Sequence, residues 1–141
     1  AYTNIQVSHE SRARAKPEEH AKATARLTAG QRHDPATVQL PPYYPDTPAV
    51  RQTVAQHHDT VSAMDHQVGD VLKLLDARGW ADNTVVVFFG DHGWGLPRGK
   101  RWPYDSGTRV PLIVRWPGVV APNSVRDDLV CFLDLGPTVL S

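Results

Sequence analysis

Asp91 and His92 stand side by side at the end of the apolar run VVVFF, and a glycine-rich loop, GWGLPRGK, carries the chain on to Lys100. A carboxylate and an imidazole in adjacent positions can both reach one cation. On first principles that oxygen-plus-nitrogen pair suits manganese or zinc as well as calcium. The ammonium of Lys100 is a point charge able to meet a sulfate or phosphate oxygen. Gly90 and Gly93 let the backbone come close to a neighbour. The competing reading is a structural turn, with Asp91 capping the loop, His92 solvated and Lys100 a surface cation beside Arg98 and Arg101. For an arbitrary Asp-His-Gly that turn is the commoner case.

Other residues with chemical potential carry less. His9, in VSHES, follows a short apolar segment and on its own reads as surface chemistry. Trp94, Trp102 and Tyr104 are candidates to line a pocket, although loop aromatics more often fold back onto the core. His57 and His58 read as structural, and Asp59, Asp65 and Asp70 as solvated helix residues. Cys131, the only cysteine, sits in an apolar run and reads as a buried core thiol. With one cysteine, no intramolecular disulfide or CxxC-type metal site can form.

The elements that would position these groups follow from periodicity and punctuation. Ile5 and Val7 suggest a short strand ending at His9. KPEEHAKATARLTA, residues 16–29, opens with proline and two glutamates and is followed by Gly30, the start and stop signals of a helix. Residues 31–48 form a proline-rich loop. Thr47-Pro48 then supplies an N-cap and a proline at the first helical position. From there Val50, Val54, His57, Val61, Met64, Val68, Val71 and Leu75 trace one apolar stripe, ended by Gly79. Thr84–Phe89 is apolar without alternation, as in a strand covered on both faces. Val110–Arg115 reads as a second buried strand and Leu129–Leu133 as a third apolar run before a short helix. A helix followed by buried strands points to an α/β domain in which the stripe lies on a central sheet, with ligands beyond the strands' carboxyl ends.

Composition narrows the class. The 141 residues carry 15 Lys plus Arg against 15 Asp plus Glu, a formal net charge of zero, which argues against a dedicated nucleic-acid binder. No run approaches the ~18 apolar residues of a membrane span. The opening AYTNIQVSHES lacks an initiator Met and the basic-then-apolar pattern of a signal peptide, and both ends read as cut inside an element. The expectation is a fragment of a longer chain.

Four segments then occur in order: MDHQVGDVL, ADNTVVVFFGDHG, the Gly99-Lys100 pair and RVPLIVRWPG. Together they resemble the sulfatase family of the alkaline-phosphatase-like superfamily, and within it the heparan N-sulfatase (sulfamidase) branch and its bacterial relatives. The match runs from about residue 39 to the end and more loosely back to His9. The resemblance implies that residues 1–141 are the middle-to-late portion of an α/β catalytic domain, part of an alkaline-phosphatase-like sandwich with helices packed on a central mixed sheet. It implies that Asp91 and His92 hold an active-site calcium. Lys100 and His9 are the implied catalytic and substrate-binding groups around the sulfate. At His9 the family pattern is nearer H-x-P-H, where this chain has His-Glu-Ser.

The family's nucleophile is a formylglycine made from the first residue of C/S-x-P-S-R. No such motif occurs in this sequence, since Cys131 is followed by Phe-Leu-Asp, and the family's early acidic metal ligands are missing as well. The implied activity is therefore calcium-dependent hydrolysis of a sulfuric ester or sulfamate in a complete protein, with the isolated chain inactive. The implied partner is a sulfated sugar or related small molecule, not nucleic acid or membrane. Family members are commonly exported or lysosomal. The rival readings are a phosphate or phosphonate monoester hydrolase of the same superfamily, a non-catalytic binding homologue, and an interaction domain built on the Met64–Leu75 stripe.

Overall fold

The computed structural model describes residues 1–140; Ser141, the last residue of the expected domain, lies outside them. Its backbone is a helix α1 (Pro17–Ala23), a long helix α2 (Pro48–Ala77), a strand β1 (Val86–Phe89), a short helix α3 (Asp105–Thr108), a strand β2 (Leu112–Arg115) and a terminal helix α4 (Leu135–Leu140). Single 3-10 turns at Glu10–Arg12, Ala29–Gln31, Ala81–Asn83 and Phe132–Asp134 punctuate the connections.

Helix α2 forms where the sequence signals it. The Thr47 hydroxyl accepts from the Val50 N–H at 3.3 Å and Pro48 opens the first turn. At the other end Gly79 takes φ +66°, and the N–H groups of Gly79 and Trp80 return to the carbonyls of Asp76 and Leu75. That is the glycine-terminated reversal that closes many helices. Thirty residues at 1.5 Å rise make a rod of about 45 Å.

Only the first half of the stripe is deeply covered. Val54 and Ala55 are buried with Ala13, Val38 and Leu96, and Leu40, Tyr44, Val50 and Trp94 pack around them. A fully buried valine contributes about 1.5–3 kcal/mol, so Val54, at 0% exposure, anchors the Glu10 turn, the proline-rich loop and the 94–100 loop to one helix. The elements packed on α2 are α1 and the turns at Glu10–Arg12 and Ala81–Asn83. Further along, Val71, Leu72 and Leu74 are exposed. The stripe thus packs chiefly on turns and loops, where a sheet was expected.

The α/β character stands, but the sheet is smaller than the central mixed sheet expected. Among the described residues it is one antiparallel pair, with Val86 opposite Arg115, Val87 opposite Val114, Phe88 opposite Ile113 and Phe89 opposite Leu112. Every β1 residue is half-buried, whereas β2 alternates and leaves Ile113 exposed. The short strand expected at Ile5 and Val7 does not form, and the third apolar run is not part of the sheet. After Ile5 the chain turns, with the His9 N–H donating to the Gln6 carbonyl at 3.1 Å. Near Leu129–Leu133 the Asp134 carboxylate accepts from the Cys131 N–H at 2.7 Å and starts a helical turn, leaving Leu129 and Leu133 exposed. Cys131 is exposed too, not the buried thiol expected, because this run has no strand beside it; Phe132 alone reaches back, 5.0 Å ring to ring from Phe89. Helix α1 stops at Ala23, short of the expected residue 29, where Thr24 turns its hydroxyl onto the His20 carbonyl.

Candidate functional site

The loop after β1 is pinned at both ends. The Gly90 N–H donates to the Pro111 carbonyl at 3.1 Å, tying the strand end to the approach of β2, and the Gly93 N–H donates to Gly107 at 2.9 Å. Gly93 lies so close to the Ser106 carbonyl that a Cβ there would collide with it. Between these anchors Asp91 and His92 project from a fixed turn. The Asp91 side chain is 81% exposed and that of His92 29%.

The His92 ring has a defined orientation. Its Nδ1 lies 2.6 Å from the Gly93 carbonyl. A carbonyl only accepts, so Nδ1 is the nitrogen that carries the proton, and in the neutral ring Nε2 keeps its lone pair. That Nε2 lies 3.6 Å from Asp91 Oδ1. A backbone carbonyl fixing the far nitrogen is how metal-binding histidines are generally held. The pair therefore fits one side of a cation. It is a partial shell: calcium takes about 6–8 ligands, mostly oxygen, and among the described residues no group of three or more His, Cys, Asp or Glu side chains is arranged to hold a metal ion.

Lys100 is brought back beside the same loop. Its N–H donates to the Trp94 carbonyl at 2.8 Å, while Arg98 and Arg101 on either side take left-handed φ of +67° and +74°. Arg98 is clamped between the Tyr43 and Tyr104 rings, at 4.7 and 4.8 Å from their centroids. The Lys100 ammonium then donates to Glu10 Oε1 at 2.7 Å. On the other side of Glu10, His9 Nε2 lies 3.3 Å from Oε2. The His9 Nδ1 accepts from the Ser11 N–H at 3.3 Å, which leaves the proton of a neutral ring on Nε2, facing Glu10. His9 and Lys100, distant in sequence, thus meet across one carboxylate.

Glu10 is the residue that sequence reasoning missed. Its Oε2 is buried and, although within ion-pair distance of His9, makes no hydrogen bond. Its carboxyl is held below the usual range, chiefly by the Lys100 hydrogen bond, with burial opposing and His9 assisting. Nothing local in VSHES marks this role; only the approach of Lys100 creates it. Gly95 presses so closely on Glu10 that a Cβ at Gly95 would overlap the Glu10 side chain.

The remaining candidates sort out plainly. Trp94 folds into the core, stacked on Tyr44 at 5.6 Å and edge-on to His57 at 5.7 Å, with its Nε1 buried and unpartnered. Trp102 and Tyr104 stack on each other and are exposed. His57 is buried as expected, and burial pushes its pKa down, with neighbouring His58 adding to the effect. Asp70 is exposed and paired with Arg26, and Asp65 is exposed. Asp59 is not the solvated residue expected. Its side chain is 8% exposed and accepts from the His33 N–H at 2.8 Å, the His33 ring at 3.0 Å and the His20 ring at 3.1 Å. Burial alone would raise its pKa; those donors outweigh it and hold the carboxyl low.

Comparison with known proteins places the chain in a family. Residues 8–141 match the Sulfatase family model, and the chain belongs to the sulfatase family. It is 41% identical over 102 residues to an ulvan-active sulfatase of Formosa agariphila, an alignment covering 72% of this chain and 17% of the relative. It is 38% identical over 117 residues to human N-sulphoglucosamine sulphohydrolase, covering 78% of this chain and 22% of the relative. An N-acetylglucosamine-6-O-sulfatase of Bacteroides thetaiotaomicron is 33% identical over 97 residues, or 64% of this chain and 17% of the relative. The chain thus spans about a fifth of the length of these relatives. No solved structure gives a significant match.

Proposed function

We propose that this chain is the metal- and anion-binding part of a hydrolase that removes sulfate from a sulfated sugar, as an ester or a sulfamate. The observation that carries this reading is the convergence of Lys100 and His9 on one carboxylate, at 2.7 and 3.3 Å, beside the loop that presents Asp91 and His92. Lys100, hydrogen-bonded to one oxygen of that carboxylate, and His9, facing the other, have the spacing to meet two oxygens of a sulfuryl group. The glycan substrate class is supported by the names of the ulvan-active and N-sulphoglucosamine relatives.

In the complete protein Asp91 and neutral His92 would hold part of a calcium shell, with further ligands supplied from outside these residues. Bound there, calcium would neutralise charge on the sulfuryl oxygens. Lys100 donates to a sulfuryl oxygen and lowers the cost of charge that builds during S–O or S–N cleavage. His9, with its proton on Nε2, is placed to donate to an oxygen of the same group. The nucleophile, a formylglycine, would also come from outside these residues, so the 141-residue chain alone is inactive on this reading. The complete sandwich and an exported or lysosomal location belong to the same proposal. Support for the larger fold comes from apolar side chains such as Val125, Leu129, Leu133 and Leu140, which stand exposed with no covering element among the described residues. None of the helices is long and apolar enough to cross a membrane among the described residues.

The test is sulfate release from an aryl sulfate by the complete protein, before and after treatment with a calcium chelator. The expected result is turnover that falls with chelation and returns with added calcium. Turnover of an aryl phosphate in preference to the sulfate would favour the phosphate or phosphonate hydrolase instead.

A further inference from the structure

We propose that Glu10 is an internal counter-ion standing where the substrate's sulfate goes, and that its displacement sets the affinity of the site for anions. The inference rests on reading Lys100 and His9 as the sulfate-contacting pair. The geometry is direct. One carboxylate oxygen takes the Lys100 ammonium at 2.7 Å, and the other faces His9 Nε2 at 3.3 Å. The two oxygens of Glu10 therefore span the two groups that two sulfuryl oxygens would span. An incoming sulfate has to break the Lys100–Glu10 contact or share its donors.

Three further features make Glu10 more than an incidental surface pair. Its side chain is 25% exposed, and Gly95 packs hard against it, which restricts where the carboxylate can go. Oε2 is buried without a hydrogen-bond partner, so half of the carboxylate is under-satisfied while it occupies the site. A buried acceptor without a donor is costly, and that cost favours its movement once an anion arrives. The charge balance matters as well. Glu10 cancels the Lys100 charge, so the resting site has little net charge unless His9 is protonated. A site held near neutrality gives a doubly charged phosphate monoester little Coulomb advantage over a singly charged sulfate ester, since Coulomb energy scales with the product of the two charges.

A positioning role for Glu10, holding Lys100 and His9 in place, predicts the opposite sign for its removal. The experiment is calorimetric titration of inorganic sulfate into the complete protein at fixed ionic strength, comparing wild type, Glu10→Gln, Lys100→Ala and the double variant. Glu10→Gln keeps the shape against Gly95 and removes the charge. The expected result is sulfate binding tightened on the order of tenfold, one tenfold step being 1.4 kcal/mol, with the gain lost in the Lys100→Ala background. Glu10→Ala, checked by thermal melting, repeats the measurement if the glutamine variant folds poorly. Unchanged or weaker sulfate binding in both Glu10 variants would overturn the proposal while leaving the anion site standing. Wild-type sulfate binding by Lys100→Ala would instead remove the anion-site reading itself, and this inference with it.

Discussion

At the scale of single residues, the site depends on which nitrogen of each histidine carries a proton. The Gly93 carbonyl accepts a hydrogen bond from the Nδ1–H of His92, so in the neutral ring Nε2 turns its lone pair toward Asp91. The Ser11 N–H fixes His9 the other way, so that Nε2 faces Glu10 as a donor. On the proposed function the first of these histidines binds a cation and the second meets an anion. The Asp91 carboxylate is mostly exposed and contributes little to packing; its proposed part is charge for a cation. Asp91→Asn is therefore expected to leave the melting temperature within about 2 °C of wild type, because surface changes usually cost under ~0.5 kcal/mol. The same change should weaken calcium binding at least tenfold, by analogy with the penalties seen even for supporting residues around metals. Calcium titration followed by turnover checks this, and an unchanged calcium requirement would remove Asp91 from the metal site.

At the scale of elements, α2 is the beam on which the rest is hung. Asp59 ties α1 and the 31–38 loop to its middle through His20 and His33. Asp59→Ala should cost about 2–3 kcal/mol, the scale for leaving buried donors unpaired, and denaturant unfolding measures it. The pH dependence has a definite sign. Asp59 and Glu10 have carboxyls held low, so their contribution is present above the ordinary carboxylate value and is lost as pH falls below about 4. His57 and His58 have pKa values lowered by burial from 6.5. They favour the neutral folded form, so their contribution is complete above 6.5 and declines as pH drops below it. Unfolding free energy should thus fall in two stages on acidification, and Asp59→Ala should flatten the lower one.

These elements also show how far sequence could reach. The bounds of α2 were legible because Thr47, Pro48 and Gly79 are local signals for local hydrogen bonds. The β1 strand was legible from its run of β-branched and aromatic residues, and the turn from the glycines that flank Asp91 and His92, although the bonds that hold them come from residues 107–115. What could not be read was pairing at a distance. Ile5–Val7 and Leu129–Leu133 have the composition of strands, yet strands need partners, and these runs curl into capped turns. Asp59 looked solvated because its burial comes from His20 and His33 on other segments, which no helical period reveals. Glu10 escaped notice because its role is created by Lys100 arriving from the far end of the chain.

At the scale of the whole molecule, the described residues join helices to a small antiparallel sheet and gather charged groups where the 94–100 loop meets the Glu10 turn. The chain belongs to the sulfatase family and spans about a fifth of its relatives' length; on the proposed function the nucleophile and remaining metal ligands lie outside these residues. In the proposed function Lys100 is the group that holds the sulfate. The most direct measurement is kcat/KM for sulfate release from an aryl sulfate by the complete protein, wild type against Lys100→Ala. Removal of one preorganised donor to a charge-bearing oxygen typically costs about 10²–10³-fold, and a loss of that size is predicted. A Lys100→Ala protein that releases sulfate at the wild-type rate would contradict the account.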